Sequence, residues 1–268
     1  MFWRSILPVA FFERNEYLLL NSFMLALIHL TRLPLPAIRF NEVNCGRSTT
    51  FFPVVGFILG LILVALVWAT GWFVPRQVQA SLLVAGMVIL TGGIHLDGFM
   101  DSIDGLFSGR PRERKLEIMR DSRVGAFGVT GVVCLLLLKY SLFLGIPDQV
   151  LWKVLLVVPA ISRWGMCYAV IAFPYVRQEG LGRIYKLHSG MKQLIWATVI
   201  AALIAGFTLG VYGVWLLALG GVITYLAGHR ITKELGGLTG DIYGLINELL
   251  EVILLFAVYP FLEMQKFL

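Results

Sequence analysis

The sequence predicts an all-α fold: a polytopic integral membrane bundle of about seven transmembrane helices, six to eight, with an acidic active site on the cytoplasmic side. Three observations predict it. Hydrophobic residues make up 58% of the 268 and charged residues only 14%, and the mean hydropathy of +0.82 lies outside the usual range of soluble domains. Long apolar stretches alternate with short polar connections, and the basic residues gather in every second connection.

The apolar stretches approach the length of about 20 residues that a helix needs to cross a bilayer. Seven of them are interpreted as spans: residues 51–74, 78–95, 129–146, 150–173, 193–210, 212–227 and 249–264. The whole chain, residues 1–268, is expected to form one integral membrane domain, because no repeat, low-complexity tract or soluble second domain is visible.

The N-terminal segment, residues 1–36, leaves its relation to the membrane open. Residues 17–36 are rich in apolar side chains but contain Arg32, Pro34 and Pro36. They form a short span, or a re-entrant or interfacial helix that the prolines stop.

The loop charges predict the orientation of the bundle. One side collects nearly all the arginines and lysines of the connections, whereas the other has Arg76, Lys153 and Lys266. The positive-inside rule therefore places the acidic connection at residues 96–124 in the cytoplasm. The net charge of +6 suits anionic lipid headgroups or an anionic substrate. No nucleic-acid-binding module is visible, and the three cysteines have no metal-ligand spacing.

Residues 96–124 form the predicted active-site segment. In a helix, Asp97, Asp101 and Asp104 fall at i, i+4 and i+7 and share one face, and Glu117 and Asp121 repeat the spacing. Like charges at this spacing repel each other. Hard divalent cations bound by carboxylate oxygens relieve that repulsion, which favours magnesium or manganese over zinc.

Basic residues lie between and beside these carboxylates. The run RPRERK at residues 110–115 is followed by Arg120 and Arg123. Guanidinium groups bind phosphate, so carboxylates with arginines predict a site for a metal-bound phosphate or diphosphate ester. The alternative is a solvated loop whose arginines only set membrane orientation, but such a loop needs no carboxylates on a shared face.

Polar residues elsewhere extend the candidate site. Arg47 is either a snorkelling anchor beside a helix cap or a phosphate contact. His95 is a metal ligand or, as the favoured interpretation, a packing or hydrogen-bonding residue. Arg163 lies inside an apolar span, where a charge needs a partner, and an acidic residue of 96–124 or a substrate phosphate is expected rather than a structural ion pair. A secondary cluster near the last span comprises Thr239, Asp241 and Glu248.

Five motifs in fixed order resemble those of one known family. They are HLDGFMDSIDG (95–105), EIMRDSRVGAFG (117–128), AISR (160–163), EGLG (179–182) and GGLTGDIYG (236–244), the last followed by Glu248. Together they resemble the cobalamin synthase family, the adenosylcobinamide-GDP ribazoletransferases, over most of the chain. The resemblance implies a magnesium-dependent transferase of the prokaryotic inner membrane. Such an enzyme joins adenosylcobinamide-GDP to α-ribazole or its 5′-phosphate, forms adenosylcobalamin or its 5′-phosphate, and releases GMP.

Roles follow for the candidate residues under this hypothesis. The candidate ligands of magnesium, or of manganese, are Asp97, Asp101, Asp104 and Asp121. The candidate phosphate-binding residues are Arg120, Arg123 and Arg163, with Arg47 as a further candidate. Asp121 or Glu117 is the candidate base for the incoming hydroxyl. Asp241 and Glu248 are expected near the metal or near ribazole. Membrane lipids are expected partners, and other corrinoid-pathway enzymes and a second copy of the chain are compatible with the resemblance.

Two other functions remain open at this stage. The motif Asp101-x-x-Asp104-Gly105 is similar to the aspartate signature of membrane CDP-alcohol phosphotransferases, although Arg110 comes two residues late and Glu117 replaces an aspartate. The second alternative is a secondary transporter whose ion path is marked by Arg163 and the acidic clusters. Against it, the carboxylates lie at helix ends on one side, and no inverted repeat is visible.

Overall fold

The computed structural model describes residues 18–265, with side chains described to residue 263. The described residues are almost entirely helical, and their β-structure is one isolated bridge between Tyr175 and Leu238. The helices are α1 Leu18–Leu30, α2 Glu42–Ser48, α3 Phe52–Thr70, α4 Arg76–Thr91, α5 Ile94–Phe107, α6 Arg112–Ile118, α7 Ala126–Gly145, α8 Asp148–Ala172, α9 Leu181–His188, α10 Met191–Leu209, α11 Val211–Leu235 and α12 Gly240–Gln265.

The described helices confirm the polytopic membrane bundle. Six are long and apolar enough to cross a bilayer, with α2 and α3 counted as one continuous segment, and the pair α4 and α5 brings the number to seven if it is one broken span. The apolar stretches had located these helices to within a few residues at most ends. The last span differs, because α12 begins at Gly240 and includes the polar residues that precede its apolar stretch.

Helix α8 lies at the centre of the bundle and packs against α3, α10, α11 and α12. Glycines of α3 make the closest approach: a Cβ atom at Gly56 would lie 2.0 Å from the carbonyl oxygen of Pro159, and one at Gly60 would lie 2.2 Å from that of Leu155. Pro159 has no N–H to donate to Leu155, the residue four positions earlier. Small residues therefore let α3 cover the point where proline interrupts the hydrogen bonds of α8.

The N-terminal helix α1 has 13 residues, fewer than the roughly 20 needed to cross a bilayer. It ends at Leu30, before the prolines of the following segment, and packs on α2 and α3. Both open interpretations, a short span and a re-entrant or interfacial helix, are compatible with an end before Pro34. The relation of α1 to the bilayer remains open, and residues 1–17 of the predicted N-terminal segment lie outside the described residues.

A sharp bend separates α4 from α5. Gly92 and Gly93 have φ angles of 64° and 72°, in the left-handed region that glycine occupies without a steric cost. The two helix axes meet at 91°. Helix α5 consequently turns away from the direction of α4 and carries its aspartates across the end of the bundle.

We call this end of the bundle the charged end; the connections 92–125, 173–190 and 236–240 lie there. They are tied together, since Lys115 pairs with Glu234 and Arg112 donates to the carbonyl of Leu235. At the opposite end Arg76 pairs with Asp148. The residues of the acidic segment thus meet the connections before α9 and α12 at one surface.

Candidate active site

The first turn of α12 lies directly against α5. A Cβ atom at Gly98 would be 2.8 Å from the carbonyl oxygen of Asp241, and one at Gly244 would be 2.9 Å from that of His95. Glycines on both helices therefore let the two backbones touch. This contact brings Asp241 beside the aspartates of α5, although more than a hundred residues separate them in sequence.

Three carboxylates converge at this crossing. Asp101 is acted on electrostatically by Asp97 of its own helix and by Asp241 of α12. Asp97 is exposed, and the other two are partly buried. Carboxylates of two separate helices therefore lie near one another at this crossing, and their assignment to a cation stays a prediction.

Arg177 contributes a positive charge to the group. It pairs with Asp241 and donates from Nη2 to the carbonyl oxygen of Met119 at 3.1 Å. Its charge also acts on Asp101. Nothing in the sequence assigns Arg177 to the site. A single arginine in a connection has the same local pattern whether it binds a ligand or only sets the orientation of the protein in the membrane.

The segment that carries Arg177 is fixed by backbone pairing. Val176 donates to the carbonyl of Leu238 at 2.9 Å, and Leu238 donates to that of Pro174 at 2.8 Å. The neighbouring Tyr175 stacks on Tyr243 with ring centroids 6.2 Å apart. Burial raises the pKa of the Tyr175 phenol, which therefore stays protonated near neutral pH and can donate a hydrogen bond.

Thr239 secures the start of α12. It is fully buried, and its hydroxyl accepts a hydrogen bond from the backbone N–H of Ile242 at 3.3 Å and donates to Asp241 at 3.3 Å. A threonine in this position caps the helix. Its contribution to the candidate site is to hold the Asp241 carboxylate.

The chemistry of the carboxylates fits a hard divalent cation, because all three present oxygen ligands and repel one another. In the arrangement described for residues 18–263, no three side chains of the His, Cys, Asp and Glu types are close enough to share a metal ion. Arg177 provides the positive charge beside Asp241 in this arrangement. The three carboxylates are of a type that suits magnesium. To bind one ion together, their side chains have to move closer to one another.

Asp104 also acts electrostatically on Asp101, but its oxygens are held by another helix. It is buried, and its two oxygens accept hydrogen bonds from the backbone N–H groups of Gly125 at 2.7 Å and Gly128 at 2.8 Å. These groups belong to the start of α7, whose N–H groups lack partners within the helix. Asp104 thus joins α5 to α7, and its assignment to the metal stays a prediction.

The second acidic pair does not share a helical face, contrary to the prediction. Helix α6 ends at Ile118, so Glu117 lies on it, whereas Asp121 lies in the connection beyond. Glu117 pairs with Arg114 at 2.7 Å, and Asp121 pairs with Arg123 at 2.7 Å. The hydrogen bonds from Arg123 lower the pKa of Asp121 to about 2.

These pairings bear on the roles predicted for the segment. A carboxylate with so low a pKa is a weak proton acceptor near neutrality. Arg123 forms a salt bridge with Asp121. Arg120 is exposed and interacts electrostatically with Tyr175. The predictions for Glu117, Asp121, Arg120 and Arg123 as base, metal ligand and phosphate ligands remain untested.

Arg163 does not pair with the acidic segment, and here the prediction was wrong. It forms an ion pair with Glu251 of α12 and also donates to Ser162 at 3.0 Å. Arg163 and Glu251 are each about 1% exposed. The guanidinium of α8 therefore neutralises a carboxylate of the neighbouring helix α12 in the bundle interior, as buried charges require.

A second pair completes this buried ion cluster, which we define as Lys139, Arg163, Glu248 and Glu251. Lys139 of α7 donates to both glutamates. Glu248, which the sequence placed at the end of a span near Asp241, therefore lies two turns deeper with a lysine partner. Two positive and two negative charges cancel within the cluster.

His95 joins the acidic helix to this cluster. It is 3% exposed, and Arg163, Glu251 and Lys139 act on it electrostatically. Its backbone packs against Gly244 of α12. These contacts agree with the favoured interpretation of His95 as a packing residue, and none of them places it with the three aspartates.

Arg47 lies on α2, a helix that packs on α1 and α9. It is partly exposed near the charged end. Both interpretations of Arg47, the anchor and the phosphate contact, stay open.

Comparison with known proteins places the chain in a family. The family model for cobalamin-5-phosphate synthase matches residues 22–259. Three curated relatives bear the name adenosylcobinamide-GDP ribazoletransferase. The one from Roseiflexus sp. (strain RS-1) is 40% identical over 231 residues, 86% of each chain. The one from Acetivibrio thermocellus is 37% identical over 90% of this chain and 98% of its own.

The third, from Geotalea daltonii, is 38% identical over 88% of this chain and 96% of its own. No solved structure matches the chain. The match covers every described helix that contributes to the carboxylate crossing and to the buried ion cluster. The chain belongs to the cobalamin-5-phosphate synthase family.

Proposed function

We propose that the protein is an adenosylcobinamide-GDP ribazoletransferase: it joins adenosylcobinamide-GDP to α-ribazole, or to its 5′-phosphate, and releases GMP. The products are adenosylcobalamin or adenosylcobalamin 5′-phosphate. Family membership and the names of the curated relatives support this activity. The observation that carries it in the structure is the convergence of Asp97 and Asp101 with Asp241 at the charged end.

Magnesium is the proposed cofactor. Asp97, Asp101 and Asp241 would hold it, and when bound it neutralises the negative charge of the diphosphate that the hydroxyl attacks. The oxygens of these carboxylates are of the kind that magnesium prefers. Manganese has the same preference and serves as a probe of the site.

The protein's own groups bind and orient the two substrates. The charge of Arg120 acts on Tyr175 at the charged end, and a guanidinium group there suits the phosphate oxygens. The attacking group is a ribose hydroxyl of ribazole that stays free in the 5′-phosphate form, and it has to lose its proton as it attacks phosphorus and GMP leaves. Glu117 and Asp121 remain our candidates for the base, and the low pKa of Asp121 argues for Glu117 among the two.

We place the protein in the prokaryotic inner membrane with this site facing the cytoplasm. The basic connections support that orientation, since they lie at the same end as the carboxylates. Membrane lipids surround the exposed apolar faces of the spans. Association with other corrinoid-pathway enzymes, or with a second copy of the chain, remains a prediction.

The test is GMP release by the purified full-length protein. Adenosylcobinamide-GDP and magnesium are supplied with α-ribazole, and in parallel with lipid alcohols as rival acceptors. GMP release that requires α-ribazole supports the proposal. Release with lipid alcohols instead would favour the phosphotransferase alternative, and flux of unchanged substrate across liposomes would favour the transporter.

A further inference from the structure

Arg177 combines a salt bridge with an unused donor. Its Nη2 atom serves both Asp241 and the carbonyl oxygen of Met119. Its Nε atom is buried and has no hydrogen-bond partner within the described residues. A guanidinium group offers five N–H donors in a planar fork, and leaving a buried one unpaired costs free energy. The guanidinium therefore has unused capacity to bind an oxygen anion.

Open space lies beside the first residue of α12. A Cβ atom at Gly240 would meet no atom within 4 Å. Gly240 is exposed and precedes Asp241, the partner of Arg177. The start of a long helix carries partial positive charge and attracts anions. An anion that binds beside Asp241 would therefore be near both the guanidinium group and the start of α12.

The charges around Arg177 do not balance. Asp97, Asp101 and Asp241 place three carboxyl groups at this crossing, and Arg177 supplies one positive charge among them. A divalent cation on these carboxylates would complete the neutralisation and compete with Arg177 for Asp241. The guanidinium would then be free to pair with an anion that arrives with the cation.

We propose that Arg177 is a diphosphate-binding residue of this site and that it exchanges partners during binding. It neutralises Asp241 in the substrate-free protein and turns to the substrate diphosphate when a divalent cation takes over Asp241. This inference rests on the proposed transferase function. It makes binding of the cation and of the diphosphate mutually dependent, because each removes a charge that opposes the other.

The partly buried position of Arg177 favours this role over that of a surface arginine. Its side chain is 16% exposed, so water screens its charge less than that of an exposed group. Arg183, in contrast, is exposed and donates to the side chain of Gln178 at 3.3 Å. Arg183 is therefore a matched control from the same connection.

The experiment measures two binding reactions on the purified full-length protein. Manganese binding is followed by electron paramagnetic resonance without nucleotide, and GDP binding is followed by calorimetry with magnesium present. The variants are Arg177→Gln, Arg177→Lys and the control Arg183→Gln. Lysine keeps the charge but lacks the planar fork.

Opposite effects are expected for Arg177→Gln. Its affinity for GDP falls by about tenfold or more, the equivalent of about 1.4 kcal/mol or more. Its affinity for manganese rises, because no guanidinium competes for Asp241, and a manganese affinity equal to that of the wild type would contradict the exchange of partners. Arg177→Lys gives an intermediate loss of GDP affinity, and Arg183→Gln matches the wild type in both measurements.

Two further results would overturn the inference. Unchanged GDP affinity in Arg177→Gln would exclude the phosphate role. A parallel loss of manganese affinity would show that Arg177 only holds the connection in place. If Arg177→Gln does not fold, Arg177→Lys provides the test. A GDP affinity of Arg177→Lys equal to that of the wild type would contradict a role of the planar guanidinium in binding the diphosphate.

GMP release by the wild type in the same preparation tests the transferase separately. Its absence would overturn the proposed function, whatever the binding data show. Its presence together with unchanged GDP binding in Arg177→Gln would overturn the assignment of Arg177 alone.

Discussion

Arg163 of α8 and Glu251 of α12 form an ion pair whose side chains are 2% and 1% exposed, inside helices long enough to cross the membrane. Charges at such depth are costly unless they are paired. Lys139 joins Glu251 to Glu248, so the cluster links α7, α8 and α12. Two of its members lie on α12, whose first turn carries Asp241, so the cluster holds the helix that positions this active-site carboxylate.

Replacing Arg163 by methionine should destabilise the protein strongly. The change leaves Glu251 with one cationic partner fewer, and breaking a buried ion pair costs about 3–5 kcal/mol. Thermal unfolding in detergent should show a lowered midpoint, whereas Lys192→Met, at an exposed position, should leave it unchanged. An unaltered midpoint for Arg163→Met would contradict the structural role of the pair.

Removing both members of the neighbouring pair should cost less than removing one. Lys139→Met leaves two glutamates with too little positive charge, and Glu248→Leu leaves the lysine with one carboxylate. The double variant restores neutrality, so its unfolding free energy should exceed that of Lys139→Met and of Glu248→Leu. Strict additivity of the two losses in chemical unfolding would show that the residues do not interact.

Substituting valine at Gly98 should impair turnover. A Cβ atom there would lie 2.8 Å from the Asp241 carbonyl oxygen, so α5 and α12 have to move apart. A displacement of about 1 Å between catalytic groups lowers a rate about a hundredfold. GMP release is the measurement. Gly206→Ala is the control, because its nearest neighbour would lie at an ordinary 3.7 Å.

Asparagine substitutions should separate the roles of two aspartates on α5. Asp104→Asn replaces one of the two accepting oxygens by an NH₂ group, leaves one backbone N–H without an acceptor, and should cost stability of about 1–3 kcal/mol. Asp101→Asn should keep its stability and lower GMP release by about tenfold to a hundredfold. Unfolding and turnover are measured on both. A stability loss confined to Asp101→Asn would reverse the two assignments.

The membrane spans and the acidic helix could be predicted because their signals are local. Apolar stretches of sufficient length define the spans, and the i, i+4, i+7 spacing puts Asp97, Asp101 and Asp104 on one helix. The spacing does not say which of them face a shared partner. Asp104 accepts hydrogen bonds from the backbone N–H groups of Gly125 and Gly128. Nothing in the acidic motif distinguishes Asp104 from Asp101.

The partners of the buried charges depend on packing between distant helices. Arg163 lies 88 residues before Glu251, and Lys139 lies 109 residues before Glu248. The sequence shows that such charges need partners but does not identify them. Arg177 was missed for the same reason, since its partner Asp241 is 64 residues away and reaches it through the pairing of Tyr175 with Leu238.

Manganese binding tests most directly the claim that α5 and α12 together bind one cation. Electron paramagnetic resonance on the full-length protein compares the wild type with Asp101→Asn, Asp241→Asn and the exposed control Glu113→Gln. Both aspartate variants should bind manganese about tenfold or more weakly, and the control should match the wild type. Wild-type affinity in Asp241→Asn would contradict the account, because the two helices would then not share a cation.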